Sequence, residues 1–152
     1  MKEYFYELDL DWKSATTATV KSRGLCGIEV SSPIDSPKPM LENWTPEHLL
    51  AASVSSCFMN TFLLIAKNSN LIISSYQCQC LVKLEPFEGI FRTTEILLRP
   101  FVELQHYSKI NLAYKCIEIA EITCPIKNAL KINVEIHSQF KFCDKKIKLE
   151  QE

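Results

Sequence analysis

The run Thr45-Pro46-Glu47-His48-Leu49-Leu50-Ala51-Ala52-Ser53-Val54-Ser55-Ser56-Cys57-Phe58 constrains this chain more than any other segment, because it opens a helix that leads straight into a thiol. Thr45 suits an N-cap, Pro46 the first helical position, and Glu47 the first turn, where the helix dipole favours a carboxylate. The pattern predicts a helix from here to about Asn68. Leu49, Leu50, Val54, Phe58, Phe62, Leu63 and Ile65 fall around nearly the whole cylinder, so one buried face cannot account for them. The helix is expected to be central and packed on more than one side.

The 152 residues fit a single domain, expected to span 1–152. Hydrophobic residues at 47% and charged residues at 23% place the chain among globular rather than disordered sequences. A net charge of −1 supplies no basic stripe for a phosphate backbone, which argues against nucleic-acid binding. Met1-Lys2-Glu3-Tyr4-Phe5-Tyr6 lacks the charge-then-apolar order of a signal peptide. The apolar run from Phe58 to Ile65 is broken by Asn60 and Thr61 and ends at Lys67, short of the roughly 20 residues that span a bilayer. A soluble cytoplasmic protein is expected, without membrane association. The seven cysteines are an odd number, read as reduced thiols in which any bridge is transient.

Around the helix the period changes to two. Tyr4, Tyr6, Leu8, Leu10 and Trp12 alternate with Glu7, Asp9 and Asp11, as in a half-buried strand. Ala15 to Lys21 is expected to pair with it, and Ile28 and Val30 mark a third strand before the proline-rich loop that ends at Trp44. Tyr76, Cys78, Cys80, Val82 and Leu84 form one side of a hairpin, Pro86 to Gly89 its turn, and Ile90, Ile96 and Leu98 its return. Ser108 can cap a helix whose Ile110, Ala113, Tyr114, Ile117 and Ala120 make a single apolar stripe. A short helix after Cys124-Pro125 and a closing strand from Ile132 to Phe142 complete the chain.

Thiolates attack and thiols do not, so each cysteine is judged by what could lower its pKa. Cys78 and Cys80 share the parity of a buried strand face and read as small core hydrophobes. His48, His106 and His137 lie in different elements without ligand spacing to them, which argues against a zinc site. Cys26 lies in a turn, Cys116 beside a helical stripe, and Cys143 in the charged C-terminal tail with Lys145-Lys146, none with an evident activator. Cys124 is placed by Pro125 at an N-cap, where dipole and free amides would favour a thiolate; a buried cysteine before a proline turn is the other reading. Cys57 by itself reads as a core cysteine of an apolar helix rather than as a catalytic one.

The motif from Thr45 to Ala52, continued by Ser55-Ser56-Cys57-Phe58, together with Thr123-Cys124-Pro125-Ile126 and the strand-rich flanks, resembles the OsmC/Ohr family of thiol-dependent peroxidases from about Tyr6 to Phe140. The resemblance implies an α+β fold with antiparallel sheets around a long central helix, in an intertwined homodimer. It implies that Cys57 is the peroxidatic nucleophile and Cys124 the resolving thiol in the reduction of organic hydroperoxides, with hydrogen peroxide a further substrate. It implies an antioxidant role in the oxidative stress response, no bound cofactor or metal, and regeneration by an external dithiol or lipoyl-type reductant. The family also uses a glutamate and an arginine, roles that fall on Glu47 and on Arg23, the only arginine before the helix.

Glu47 and Cys57 are ten residues apart, about 15 Å along a straight helix, so a Glu47 that serves a Cys57 is expected to come from a second subunit. Glu47 also makes sense as a dipole-complementing residue and Arg23 as a turn cation. The loop from Pro33 to Asn43 lacks the glycines frequent in relatives, and Arg23 lacks a fuller arginine motif, which places the chain nearer the general OsmC-like group. Apolar neighbours of Cys57 such as Phe58, Met59 and Phe62 would favour apolar peroxides. The alternatives are a non-enzymatic dimer that senses oxidation or holds a small thiol-reactive ligand, and a metal-binding module.

Overall fold

Residues 2–32 and 43–142 are described by a computed structural model, in which the chain forms two compact units, Met1–Leu50 and Ala51–Glu152. Most of the proline-rich loop, residues 33–42, lies outside the described residues, as do Cys143 and the Lys145-Lys146 pair.

In the first unit β1 (Asp9–Ser14), β2 (Thr17–Lys21) and β3 (Ile28–Ser31) form an antiparallel sheet in that order. The first strand begins at Asp9, opposite Lys21, rather than at Tyr4, because β2 ends there and leaves the earlier residues no ladder partner, only the Ser22 hydroxyl on the Glu7 carbonyl at 2.8 Å. It is also not half-buried. Tyr6 is 92% exposed and Trp12 71%, so the apolar side of the alternation is open among the described residues. Trp44 continues the edge of β3, accepting from the Ser31 amide at 2.9 Å and donating to the Glu29 carbonyl at 3.2 Å.

The long helix, α1 (Pro46–Asn68), begins where the sequence places it. Thr45, itself buried, accepts from the His48 amide at 3.3 Å, and His48 Nδ1 accepts from the Thr45 amide at 3.2 Å. This is a reciprocal capping box with histidine in the position usually held by Glu or Gln. The other end closes with Asn70 in the left-handed region at φ 54°, the Leu71 amide on Ala66 and the Asn70 amide on Lys67. That bonding pattern satisfies the last carbonyls and stops the helix.

Burial of α1 departs from the expectation. Val54, Phe58, Phe62 and Ala66 are buried at four-residue spacing, one stripe rather than a whole cylinder, and Leu64 is 59% exposed. Among the described residues this one stripe is what the chain covers. By length and composition alone the 23-residue helix, with a mean hydropathy of 1.8 over its most apolar window, is long enough to cross a membrane, which the interrupted apolar run did not anticipate. Ala51, Ala52 and Ala66 extend the apolar window beyond the large side chains. A core helix meets the same criterion.

The second unit is built on a long hairpin of β4 (Ile73–Phe87) and β5 (Ile90–Leu104). Glu88 and Gly89 join the strands with φ of 51° and 82°, the two positive values that a two-residue type I′ turn needs. A 3-10 turn, Tyr107–Lys109, then leads into α2 (Ile110–Thr123). Ser108 lies inside that turn and does not cap the helix; Lys109 holds the cap position with no side-chain bond. The buried stripe of α2 is Ala113, Cys116, Ile117 and Ala120, so Cys116 takes the place expected of Tyr114, whose ring stacks edge-on against Phe140 nearer the surface.

After α3 (Pro125–Ala129) the expected closing strand is two strands, β6 (Asn133–Ile136) and β7 (Gln139–Phe142), broken at His137. Both run parallel to β5, so this sheet is mixed rather than antiparallel. The cause is the connection: a helical crossover returns the chain to the same end of β5, whereas a tight turn would reverse it. Ile96, Leu98, Val102 and Leu104 of β5 are fully buried, and Tyr76 of β4 stacks on Phe62 of α1 with ring centres 5.8 Å apart. Each fully buried Phe of α1 contributes about 1.5–3 kcal/mol of hydrophobic stabilisation.

Candidate functional site

Cys57 lies one position from Phe58, about 100° around α1 from the buried stripe, and this offset leaves its thiol half-buried. The hydroxyls around it are turned back into the helix: Ser56 donates to the Ala52 carbonyl at 2.6 Å and Thr61 to the Cys57 carbonyl at 2.9 Å. Phe58 and Phe62 are fully buried in the core and Met59 is half-buried, two positions on and so turned away from the thiol around the helix.

Cys124 occupies the elbow between α2 and α3, with φ −65° and ψ 113°, ending one helix and capping the next. Pro125 dictates this. It disfavours helical geometry in the residue before it and suits the first position of the helix that follows. The elbow is bonded on both sides: the Cys124 amide donates to Ala120 at 2.9 Å, and its carbonyl accepts from the Asn128 amide at 3.1 Å. Asn128 Nδ2 reaches back to the Ile122 carbonyl at 2.6 Å, and Lys127 pairs with Glu121 at 3.4 Å.

The fold brings these two cysteines together. The Cys124 thiol donates to the Cys57 sulfur with Sγ to Sγ 3.3 Å, although 67 residues separate them in sequence. Cys124 is fully buried and Cys57 is not, so only Cys57 is open to a reagent from outside. Burial is the main influence on Cys124 and raises its pKa; the Lys127 and Ile126 amides pull it back and the Cys57 sulfur adds to the rise. The thiolate expected at this N-cap is therefore not favoured, because desolvation outweighs the amides of a one-turn helix. The pair is asymmetric, with a half-exposed acceptor sulfur and a buried donor that keeps its proton.

Arg23 and Glu47 belong to the first unit. Arg23 is exposed in the turn after β2, where it shares a groove of about 380 Å³ with Phe5, Tyr6, Glu7, Leu8, Asp9 and Ser22. Glu47 is half-buried in the first turn of α1, between the capping partners Thr45 and His48.

The remaining thiols are differently placed. Cys78 and Cys80 stand on β4 opposite Pro100 and Leu98. Burial pushes both up, Cys80 to about 11 with the neighbouring Cys78 adding to the effect, while the Tyr76 hydroxyl partly offsets the rise at Cys78. Cys116 is fully buried in α2, and Cys26 is exposed in the turn before β3. Among the described residues no group of three or more His, Cys, Asp or Glu side chains converges to hold a metal ion. Sequence reasoning missed Asn128, Lys127 and Glu121, the braces of the elbow; an Asn four residues after the cysteine that starts a short helix was the available signal.

Residues 38–139 match the family model described as OsmC-like protein. An uncharacterized protein of Bacillus subtilis, YmaD, is 25% identical over 142 residues, 90% of this chain and 93% of that one. Among solved structures, an OsmC-like protein of unknown function from Vibrio cholerae superposes with a TM-score of 0.77 at 25% identity, over 91% of this chain and all of the other. An organic hydroperoxide resistance protein from Elizabethkingia anophelis has a TM-score of 0.70 at 23% identity, over 93% of this chain and 100% of its own, a likeness of fold.

Proposed function

The chain belongs to the OsmC-like protein family, and on that footing we propose that it is a cysteine-based peroxidase that reduces organic hydroperoxides. The observation that carries this reading is the 3.3 Å approach of the Cys57 and Cys124 sulfurs, one half-exposed and one buried. Cys57 as thiolate attacks the distal oxygen of the hydroperoxide. The O–O bond breaks, the alkoxide leaves and takes up a proton as an alcohol, and Cys57 becomes a sulfenic acid, having lost the two electrons the peroxide gained. Cys124 then gives up its proton and attacks the Cys57 sulfur; the S–O bond breaks, water leaves, and an S–S bond forms. An external dithiol of lipoyl type reduces the bridge by exchange and is itself oxidised to a disulfide.

The working unit in this reading is a cytoplasmic homodimer that binds neither nucleic acid nor membrane. The open apolar sides of α1 and β1 support a second copy as their cover. Glu47, too far along its own helix from Cys57, would act on the Cys57 of the partner, and Arg23 would favour the thiolate and be oriented by that carboxylate.

The test is hydroperoxide consumption with a dithiol reductant by the wild type and Cys57→Ser. Full activity in the variant removes the mechanism. Intact mass after one equivalent of peroxide separates an enzyme from a sensor, since a sensor oxidises once without supporting turnover. Sedimentation at micromolar concentration tests the homodimer, and a monomer there removes the partner's Glu47 from the scheme.

A further inference from the structure

For a bridge to form, the two sulfurs must close from 3.3 Å to about 2.05 Å within a narrow range of torsions. One wall of the site is firm. Cys57 rides on a 23-residue helix with a buried stripe and bonded ends. The other wall is α3, only five residues long, and a helix of that length does not hold itself. The aim of Cys124 therefore depends on what ties α3 to α2.

Two side-chain ties join them. Asn128 Nδ2 donates to the Ile122 carbonyl at 2.6 Å, taking one of the acceptors that α2 leaves unsatisfied at its end. Lys127, only 19% exposed at its side chain, pairs with Glu121 at 3.4 Å. Both cross the elbow from α3 to the last turn of α2, and both leave Cys57 untouched. Asn128 makes the shorter bond, in a direction only a donor can fill. Asn128 is itself exposed, so the ranking rests on length and direction: the ion pair is longer, at 3.4 Å against 2.6 Å, and an ion pair open to water contributes little.

We propose that Asn128, backed by the Lys127–Glu121 pair, is a positioning residue that holds the α2–α3 elbow so that the Cys124 sulfur can close on Cys57. The proposal rests on the peroxidase reading for its place in a cycle, as the residue that governs the second step and not the first. A misplacement of about 1 Å costs up to roughly 10²-fold in a bond-forming step, and a partial release of the elbow is expected to cost about tenfold.

Single turnover separates the steps. Reduced wild type, Asn128→Asp and Asn128→Ala are mixed with one equivalent of an organic hydroperoxide; a sulfenic-acid trap reads the first step and intact mass the bridge. Asp has the size of Asn but cannot donate, so a role in packing alone would leave it like wild type. Both variants are expected to form the sulfenic acid within about twofold of the wild-type rate and the bridge about tenfold more slowly, with trapped Cys57 accumulating. Lys127→Met is expected to slow closure by no more than about twofold. Bridge formation in Asn128→Asp as fast as in wild type, or faster, overturns the proposal.

A second arm needs no peroxidase activity. Oxidised glutathione forms a mixed disulfide on Cys57 with release of one glutathione, and Cys124 displaces the second to close the bridge. The same tenfold delay in the closing step is expected. If the wild type ignores peroxide, the peroxidase reading fails and this arm still decides the elbow: equal closing rates overturn its role, and a slow Asn128→Asp upholds it.

Discussion

Cys57 and Cys124 come from distant parts of the chain and meet, whereas Cys78 and Cys80 are near neighbours on β4 whose thiols are both driven up by burial. In the first pair the burden of desolvation falls on one partner. Cys124 is buried and keeps its proton, which leaves Cys57 as the sulfur a reagent can reach. In the second pair both partners carry the burden; the Tyr76 hydroxyl and the Arg99 amide offset it only in part at Cys78, and nothing offsets it at Cys80. Sequence proximity thus says little about reactivity; unequal burial across a contact says more.

The sharpest way to break this contrast is to exchange the sulfurs one at a time. Cys57→Ser is expected to lower hydroperoxide consumption by about 10²-fold or more, while Cys78→Ser and Cys80→Ser change it by less than about twofold, in a coupled dithiol assay. If the strand pair proves the more sensitive, the assignment is reversed. Cys124→Ser is expected to lower turnover by roughly tenfold and to leave Cys57 trappable as a sulfenic acid.

A milder test uses pH. A thiol reacts through its thiolate, so with its pKa raised to about 11 the alkylation rate of Cys80 should go on climbing with pH through about 11. At neutral pH it is expected to label at least about tenfold more slowly than the exposed Cys26, read by peptide mass after a short pulse of iodoacetamide. The smallest effect concerns the footing of Cys57. Thr45→Ala removes the acceptor for the His48 amide and is expected to cost about 1 kcal/mol in denaturant unfolding, and a cost near zero would mean the capping box is ornamental.

Much of this was legible in the residues. Thr45, Pro46 and Glu47 announce the start of α1, and Pro125 announces the elbow, because capping and proline geometry are local chemistry. The side chain of His48 as the returning half of the cap was readable only by allowing an imidazole nitrogen where a carboxylate usually sits. Periodicity gave the hairpin but could not say that β6 and β7 lie parallel to β5, since alternation records which face is buried and not which strand is the neighbour. For the same reason Tyr6 and Trp12 read as half-buried. The alternation is there in the residues, but among the described residues that face is exposed. The 3.3 Å contact between sulfurs was not readable from spacing; it came to the sequence through family resemblance and to the molecule through packing.

The distance between the two cysteines along the chain has a consequence for the polymer itself. A bridge between residues 67 apart closes a large loop in the unfolded ensemble, and chain-entropy estimates put the resulting stabilisation at about 4 kcal/mol. Oxidation and reduction would then alternate between a tethered chain and a free one. The reduced protein, poised to react, would be the form that opens more readily to heat and proteases, so that each turn of the cycle is also a swing in lifetime.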